Sequence, residues 1–206
     1  MAHVDLRSLL GCNPSSTELE NYTAFLIAIA ALDRPVSPEI KPYSDAVYFN
    51  YYKLGLSLQF SPTDGYKPSS QDELKNDKLS LDSIYLYNTF RGEGVSKFSP
   101  HPVSPILLKL NPNVRDKDGN LLSRPGPSAL EVHKDMSGKD FVKVLLEPDR
   151  KGGGTGPSSG SIGIWCEWSK EGLMVEFGGA DASGPQAWER GKDALWKIIT
   201  VFVAST

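Results

Sequence analysis

Tyr52-Lys53-Leu54-Gly55-Leu56-Ser57-Leu58-Gln59-Phe60 and Ser169-Lys170-Glu171-Gly172-Leu173-Met174-Val175-Glu176-Phe177 are two settings of one pattern, with glycine, leucine and phenylalanine in corresponding places. After each glycine, apolar residues alternate with other types at the period of two that marks a half-buried antiparallel strand. The glycine itself reads as the hairpin connection, where a positive φ is easiest without a Cβ. Both copies have similar flanks. An aromatic stretch precedes each, Ala46-Val47-Tyr48-Phe49-Asn50-Tyr51 and Ile162-Gly163-Ile164-Trp165-Cys166-Glu167-Trp168. Another apolar stretch comes after each, Leu81-Asp82-Ser83-Ile84-Tyr85-Leu86-Tyr87 and Leu195-Trp196-Lys197-Ile198-Ile199-Thr200-Val201.

A helix leads into each copy. In the first, Ser15, Ser16 and Thr17 offer N-caps, Thr17-x-x-Glu20 reads as a capping box, and Leu19, Tyr22, Leu26 and Ile29 form one stripe ending near Asp33. A shorter helical stretch, Val4 to Leu10, is closed by Gly11, and Pro35 to Pro42 reads as a linker. In the second copy a helix opens at Ser137, runs through Asp140, Phe141, Val142, Val144, Leu145 and Leu146, and stops at Pro148. Ser61 to Ser80, Asn88 to Pro105 and Asn111 to Ser128 are rich in turn formers, with Asp116-Lys117-Asp118-Gly119-Asn120 a turn by composition and Ile106 to Leu110 a strand. The expected fold is therefore α+β, made of two tandem repeats of helix followed by antiparallel sheet. The helices should lie on one face, with long Gly- and Pro-rich loops. The repeats divide at residues 1–105 and 106–206, as two domains or as one continuous domain.

The helix and strands of the second copy carry a family resemblance. Ser137-Gly138-Lys139-Asp140-Phe141-Val142-Lys143-Val144-Leu145-Leu146-Glu147-Pro148-Asp149, then an aromatic strand and Gly172-Leu173-Met174-Val175-Glu176-Phe177, is similar to the repeat shared by the β-lactamase inhibitor protein and the BamE/SmpA-OmlA family. Leu9-Leu10-Gly11 and the helix from Thr17 look like a diverged counterpart in the first copy. The chain departs from that pattern at Leu146, where the family has the glycine of Leu-Gly-x-Pro-Asp. The resemblance implies a binding or inhibitory scaffold and carries over no catalytic residue.

With 206 residues, 39% apolar and 23% charged, the chain is long and apolar enough to bury a core. A net charge of −3 without a basic face argues against a nucleic-acid partner, since binding phosphate needs clustered Lys and Arg. No run of ~20 apolar residues is present, so no membrane span is expected. The N-terminus has no signal-like apolar run, and two cysteines are too few for a disulfide framework, which together point to the cytoplasm. Asn21-Tyr22-Thr23 matches a glycosylation sequon that such a location leaves idle.

Several candidate chemistries have bland readings that suit their context better. Gly156-Pro157-Ser158-Ser159-Gly160 matches G-x-S-x-G but lies after a glycine run and before a strand, whereas a nucleophile elbow needs strand before and helix after. Arg150-Lys151-Gly152-Gly153-Gly154-Thr155-Gly156 could cradle a phosphate, yet it lacks the Lys-Ser/Thr that opens a helix in a P-loop. His3, His101 and His133 have no metal-ligand spacing. Cys166 with His133 is a conceivable nucleophilic pair, but Cys166 alternates with Ile162, Ile164 and Trp168 on a core face. Glu167 with Glu176 could do acid/base work, although such a pair is more often a solvated sheet face. No catalytic residue, metal or cofactor is therefore assigned.

The outer sheet face is the more informative feature. If Val47, Phe49, Leu56, Leu58, Phe60, Ile84 and Leu86 face the core, alternation sends Tyr48, Tyr52, Ser57, Gln59, Tyr85 and Tyr87 to the other side. The equivalent residues of the second copy are Trp165, Glu167, Met174 and Glu176, with Lys197 and Ile199. Amphipathic rings interleaved with Ser and Gln suit a binding surface. They would equally suit a polar seam if the two copies stack on each other. The expected function is a non-catalytic binding or inhibitor module using Tyr48, Tyr52, Gln59, Tyr85, Tyr87, Trp165, Glu167, Met174 and Glu176 to take a protein partner or small ligand. The alternative is a small cofactor-free enzyme, a cyclase, isomerase or hydrolase, with its pocket between the repeats.

Overall fold

The computed structural model describes residues 4–71, 74–89, 96–114, 121, 128–154 and 163–205. The chain forms two compact units, one of residues 1–89, 95–103 and 200–203 and the other of residues 90–94, 104–199 and 204–206. Both are α+β with antiparallel sheet, and among the described residues there are three α-helices.

In the first unit a 3₁₀ turn, Leu6–Leu9, precedes helix α1, Thr17–Ile29. The α1 N-cap is Ser16, whose hydroxyl accepts from the Leu19 N–H at 3.4 Å, so the cap lies one residue before the expected Thr17 box. The helix buries Leu19, Tyr22 and Leu26 and ends at Ile29, which is exposed, short of the expected Asp33. Four strands come next in the order β1-β2-β3-β4: Glu39–Pro42, Val47–Tyr51, Leu56–Pro62 and Leu79–Tyr87. Glu39–Pro42 is thus an edge strand rather than a linker. Its proline is tolerated because an edge strand need not donate on its outer side.

The register places the core as alternation requires. Phe49 pairs with Leu58, which pairs with Ile84; Leu56 pairs with Leu86; all five are buried. Between the Gln59–Ser83 and Phe60–Leu81 pairs, Asp82 is one extra residue, a bulge that lets Leu79 and Leu81 join the buried set while Asp82 stays exposed.

The second unit begins with a hairpin of Ile106–Lys109 (β5) and Ala129–Val132 (β6), then helix α2, Gly138–Leu145. Asp140 closes the helix start by accepting from both the Ser137 N–H (2.9 Å) and the Ser137 hydroxyl (2.7 Å). Four strands follow in the order β7-β8-β9-β10, Arg150–Gly152, Trp165–Trp168, Leu173–Phe177 and Trp196–Phe202, the last within this unit only as far as Ile199, with the short helix α3, Ala187–Arg190, before β10. Phe141, Leu145, Trp168, Leu173, Val175 and Phe177 make the centre of its core.

Gly55 and Gly172 occupy the same local structure. Each ends a single 3₁₀ turn, Tyr52–Leu54 or Ser169–Glu171, in the left-handed region with φ of 54° and 61°, and each is succeeded at once by a strand antiparallel to the one before. The connection is a 3₁₀ turn rather than a tight two-residue hairpin. Its closing N–H returns to Tyr52 or Ser169, and only a residue at ease with positive φ can then enter the strand.

Candidate functional site

On the outer face of the first unit, cross-strand pairing aligns Tyr48 with Gln59 and Ser83, and Asn50 with Ser57 and Tyr85. All five expected side chains of this copy, Tyr48, Tyr52, Gln59, Tyr85 and Tyr87, lie half-buried. The Tyr85 hydroxyl donates to Gln59 Oε1 at 2.6 Å, and the rings of Tyr48 and Tyr85 lie 6.4 Å apart. On the same strands the Ser57 hydroxyl donates to Asn50 Oδ1 at 2.7 Å, and both residues are buried. Ser57 is therefore not a solvated outer residue. Its pairing with Asn50 removes the penalty a lone buried hydroxyl would carry.

Three further residues belong to this surface. Tyr43 packs edge-on against Tyr48 at 5.9 Å and is 54% exposed. Strand β1 sets Lys41 beside Tyr48 and Glu39 beside Asn50. Glu39 binds Lys41 at 3.2 Å and Lys97 at 3.1 Å, while Lys97 also meets the Tyr52 hydroxyl at 3.2 Å and lies over the Tyr52 ring at 4.4 Å. The hydrogen bonds from Lys97 and Lys41 hold the Glu39 carboxyl below the usual range. Burial raises the Tyr48 hydroxyl, with Asp45 adding to the effect, so it stays protonated at neutral pH. Reading Pro35 to Pro42 as a linker hid Glu39 and Lys41, although Glu39-Ile40-Lys41-Pro42 carries a short polar–apolar alternation.

A strap formed by residues 96–103 divides the face. Ser99 N–H donates to the Tyr52 carbonyl (2.8 Å) and His101 N–H to the Tyr87 carbonyl (2.7 Å), fixing the strap against the sheet end. Phe98 then stacks on Tyr87 at 3.7 Å with planes 3° apart and contacts Tyr52 at 4.6 Å. Tyr52 and Tyr87 thus pack against Phe98 of the strap, whereas Tyr43, Tyr48 and Tyr85 pack against one another. The strap also accounts for Gly55, where a Cβ would collide with the Ser99 carbonyl oxygen and the His101 nitrogen. His101 is buried, with Nδ1 3.2 Å from the Leu54 carbonyl and Nε2 3.5 Å from the Tyr22 hydroxyl. It is a packed core histidine, not a ligand in a proline-rich loop.

In the second unit Trp165 pairs with Glu176 and Glu167 with Met174, so these four expected residues share one face of their own sheet. All are half-buried. Arg150, opposite Glu167, binds it at 3.4 Å and approaches the Trp165 ring at 6.0 Å. Burial raises the Glu176 carboxyl, and Lys197 partly offsets this. Glu167 also accepts from the Ser169 hydroxyl. Ile199, expected on this outer face, is fully buried.

The other candidates do not assemble. Cys166 is buried and its thiol is pushed up to about 11, chiefly by burial, which leaves it protonated and unreactive at neutral pH. His133 is exposed and faces Glu131 at 3.8 Å; no contact joins it to Cys166 among the described residues. Arg150 and Lys151 of the glycine-rich segment are paired with Glu167 and Glu147. The G-x-S-x-G stretch, His3 and the turn at Asp116–Asn120 lie outside the described residues. Among those described, no three His, Cys, Asp or Glu side chains converge as a metal would need, and no helix is long and apolar enough to cross a membrane.

Compared with known proteins, the chain matches no family model, no curated protein and no solved structure.

Proposed function

We propose that this protein is a non-catalytic binding module of the inhibitor-like kind, built from two copies of one helix-plus-sheet repeat, with its helices to one side of each sheet. On this reading it docks a protein partner on the tyrosine face of the first unit. Tyr43, Tyr48 and Tyr85 are the anchors, Gln59 and Lys41 provide polar contacts, and Tyr52 and Tyr87 act as the strap-held margin. The observation that carries the reading is the arrangement of that face: three adjacent tyrosines, one exposed and two half-buried, on a sheet whose strands are also joined by the buried Asn50–Ser57 bond. Rigid aromatic rings on a pre-formed sheet provide contact area at little entropic cost. The repeat is supported by the matched turns at Gly55 and Gly172, and by a helix followed by four strands in meander order in each unit. The likeness to the β-lactamase inhibitor protein and BamE/SmpA-OmlA repeat is proposed on the same grounds.

The test is capture from native extract by immobilised wild type against Tyr48→Ala and Tyr85→Ala. A specific partner should be retained by wild type, and each substitution should weaken its binding by about 1–3 kcal/mol without lowering the melting temperature much. Leu58→Ala, which empties a buried core position, should do the converse, costing roughly 2–5 kcal/mol of stability while the folded fraction still binds. Equal capture by wild type and both tyrosine variants would refute the assignment.

A further inference from the structure

The second unit contains a cavity of about 430 Å³ that plays no part in the tyrosine-face reading. Ile164, Cys166 and Phe177 form its floor, and all three are buried. Val142 of α2 and Trp188 of α3 wall it, and both are unusually exposed for large apolar side chains, at 36% and 41%. Four lysines line it as well: Lys139, Lys143, Lys151 and Lys192. Lys139 is paired with Asp193 and Lys151 with Glu147, but neither Lys143 nor Lys192 ends within ion-pair distance of a carboxylate among the described residues. The only acidic residue lining the cavity is Glu147 among the described residues.

The walls are fixed by close backbone packing. A Cβ on Gly138 would come within 2.7 Å of the Gly191 carbonyl oxygen, and one on Gly191 would strike Ile164 and come within 2.5 Å of the Ala187 carbonyl oxygen. A Cβ on Gly154 would likewise meet Ile164 at 2.7 Å and Ala187 at 3.0 Å. The start of α2, the end of α3 and the glycine strand are thereby clamped around an opening that the side chains leave unfilled. Its size falls within the ~300–1,000 Å³ of small-molecule sites, which are mostly apolar with a few placed polar groups.

We propose that this cavity binds a small amphipathic carboxylate, its apolar body on Ile164, Cys166, Phe177 and Trp188 and its carboxylate between Lys143 and Lys192. Lys143 and Lys192 are exposed, with Asp140 and Asp193 acting on them only at longer range, so an uncharged apolar guest would use the floor but not the cationic rim, and a compact polyanion would use the rim but leave the apolar floor uncovered. An amphipathic monoanion satisfies both.

Calorimetric titration of the full chain with 2-naphthoate, octanoate and the neutral 2-naphthamide tests the assignment. At least one carboxylate should bind with 1:1 stoichiometry, and 2-naphthamide should bind about tenfold more weakly than 2-naphthoate, as expected for contact with two part-exposed cations. Reversing Lys143→Glu and Lys192→Glu together should weaken the carboxylate about tenfold or more and leave the melting temperature and amide binding unchanged. Tyr48→Ala and Tyr85→Ala should leave this binding unaltered, which separates its failure from that of the protein-docking face. No carboxylate binding, or equal binding of 2-naphthoate and 2-naphthamide, would overturn the proposal.

Discussion

Leu146 comes directly after the last residue of α2 with φ 67° and ψ −163°, a conformation that glycine adopts freely and other residues almost never do. It cannot relax locally. Its N–H donates to the Val142 carbonyl at 2.9 Å, and its own carbonyl accepts from Trp168 Nε1 at 3.0 Å, so both sides of the residue are held. The side chain itself is only half-buried. Leu146→Ala and Leu146→Gly remove nearly the same contact area, and the pair therefore isolates the backbone. Alanine keeps the strain of about 1–3 kcal/mol that a non-glycine residue carries here. Glycine releases it, at an unfolded-state entropy cost of about 0.5–1 kcal/mol. Leu146→Gly should thus be more stable than Leu146→Ala by about 1 kcal/mol, the reverse of the usual order, in which alanine exceeds glycine by about the same amount within a helix. All four tryptophans, Trp165, Trp168, Trp188 and Trp196, lie in the second unit, so urea unfolding monitored by tryptophan emission reads that unit directly. A midpoint for the alanine variant equal to or above that of the glycine variant would refute the argument.

Gly55→Ala should be strongly destabilising, because Gly55 is buried against the strap. It adds positive-φ strain of about 1–3 kcal/mol to a collision with the strap, so tyrosine emission should report both lower stability and loss of the Phe98–Tyr87 stack. Asp140 is held below the ordinary aspartate range, first by the Ser137 hydroxyl and then by its N–H. Because the folded-state value is depressed, its stabilisation is fully present above the ordinary aspartate range and is lost as pH falls through the folded value. Thermal melts of Asp140→Asn should accordingly sit below wild type at neutral pH and converge with it in acid; parallel curves would remove the cap from the account.

Much of the first sheet was legible because its strands obey period two on either side of the Asp82 bulge: every core residue expected from Val47 to Leu86 is buried. The bulge at Asp82 was not, since one extra residue preserves a plausible alternation on either side and only the partner strand reveals the slip. Strand β1 was missed because its polar–apolar alternation spans only four residues between prolines, too short to stand out from a linker. The strap was missed for a different reason. Phe98 and Lys97 reach Tyr52 and Tyr87 from a segment of turn formers, and nothing local in such a segment states which ring it will cover.

The two aromatic types are divided between the units, and their hydrogen bonding indicates what each does. All eight tyrosines precede Asn88 and all four tryptophans lie beyond Gly163. Two of the tryptophans are buried with their indole N–H groups donating inward, Trp168 to the Leu146 carbonyl and Trp196 to the His133 carbonyl at 2.8 Å. An indole has one donor and no acceptor, so once that donor is satisfied by backbone the ring is a structural plug. A tyrosine hydroxyl both donates and accepts. Tyr85 donates to Gln59 and is also hydrogen-bonded to Tyr48, so its hydroxyl belongs to a polar network on the outer face. The sheet whose outer face carries tyrosine therefore places side-chain hydrogen-bonding capacity at the surface. In the sheet rich in tryptophan, much of that capacity is directed into the fold, and its opening to solvent is the lysine-lined cavity beside Trp188.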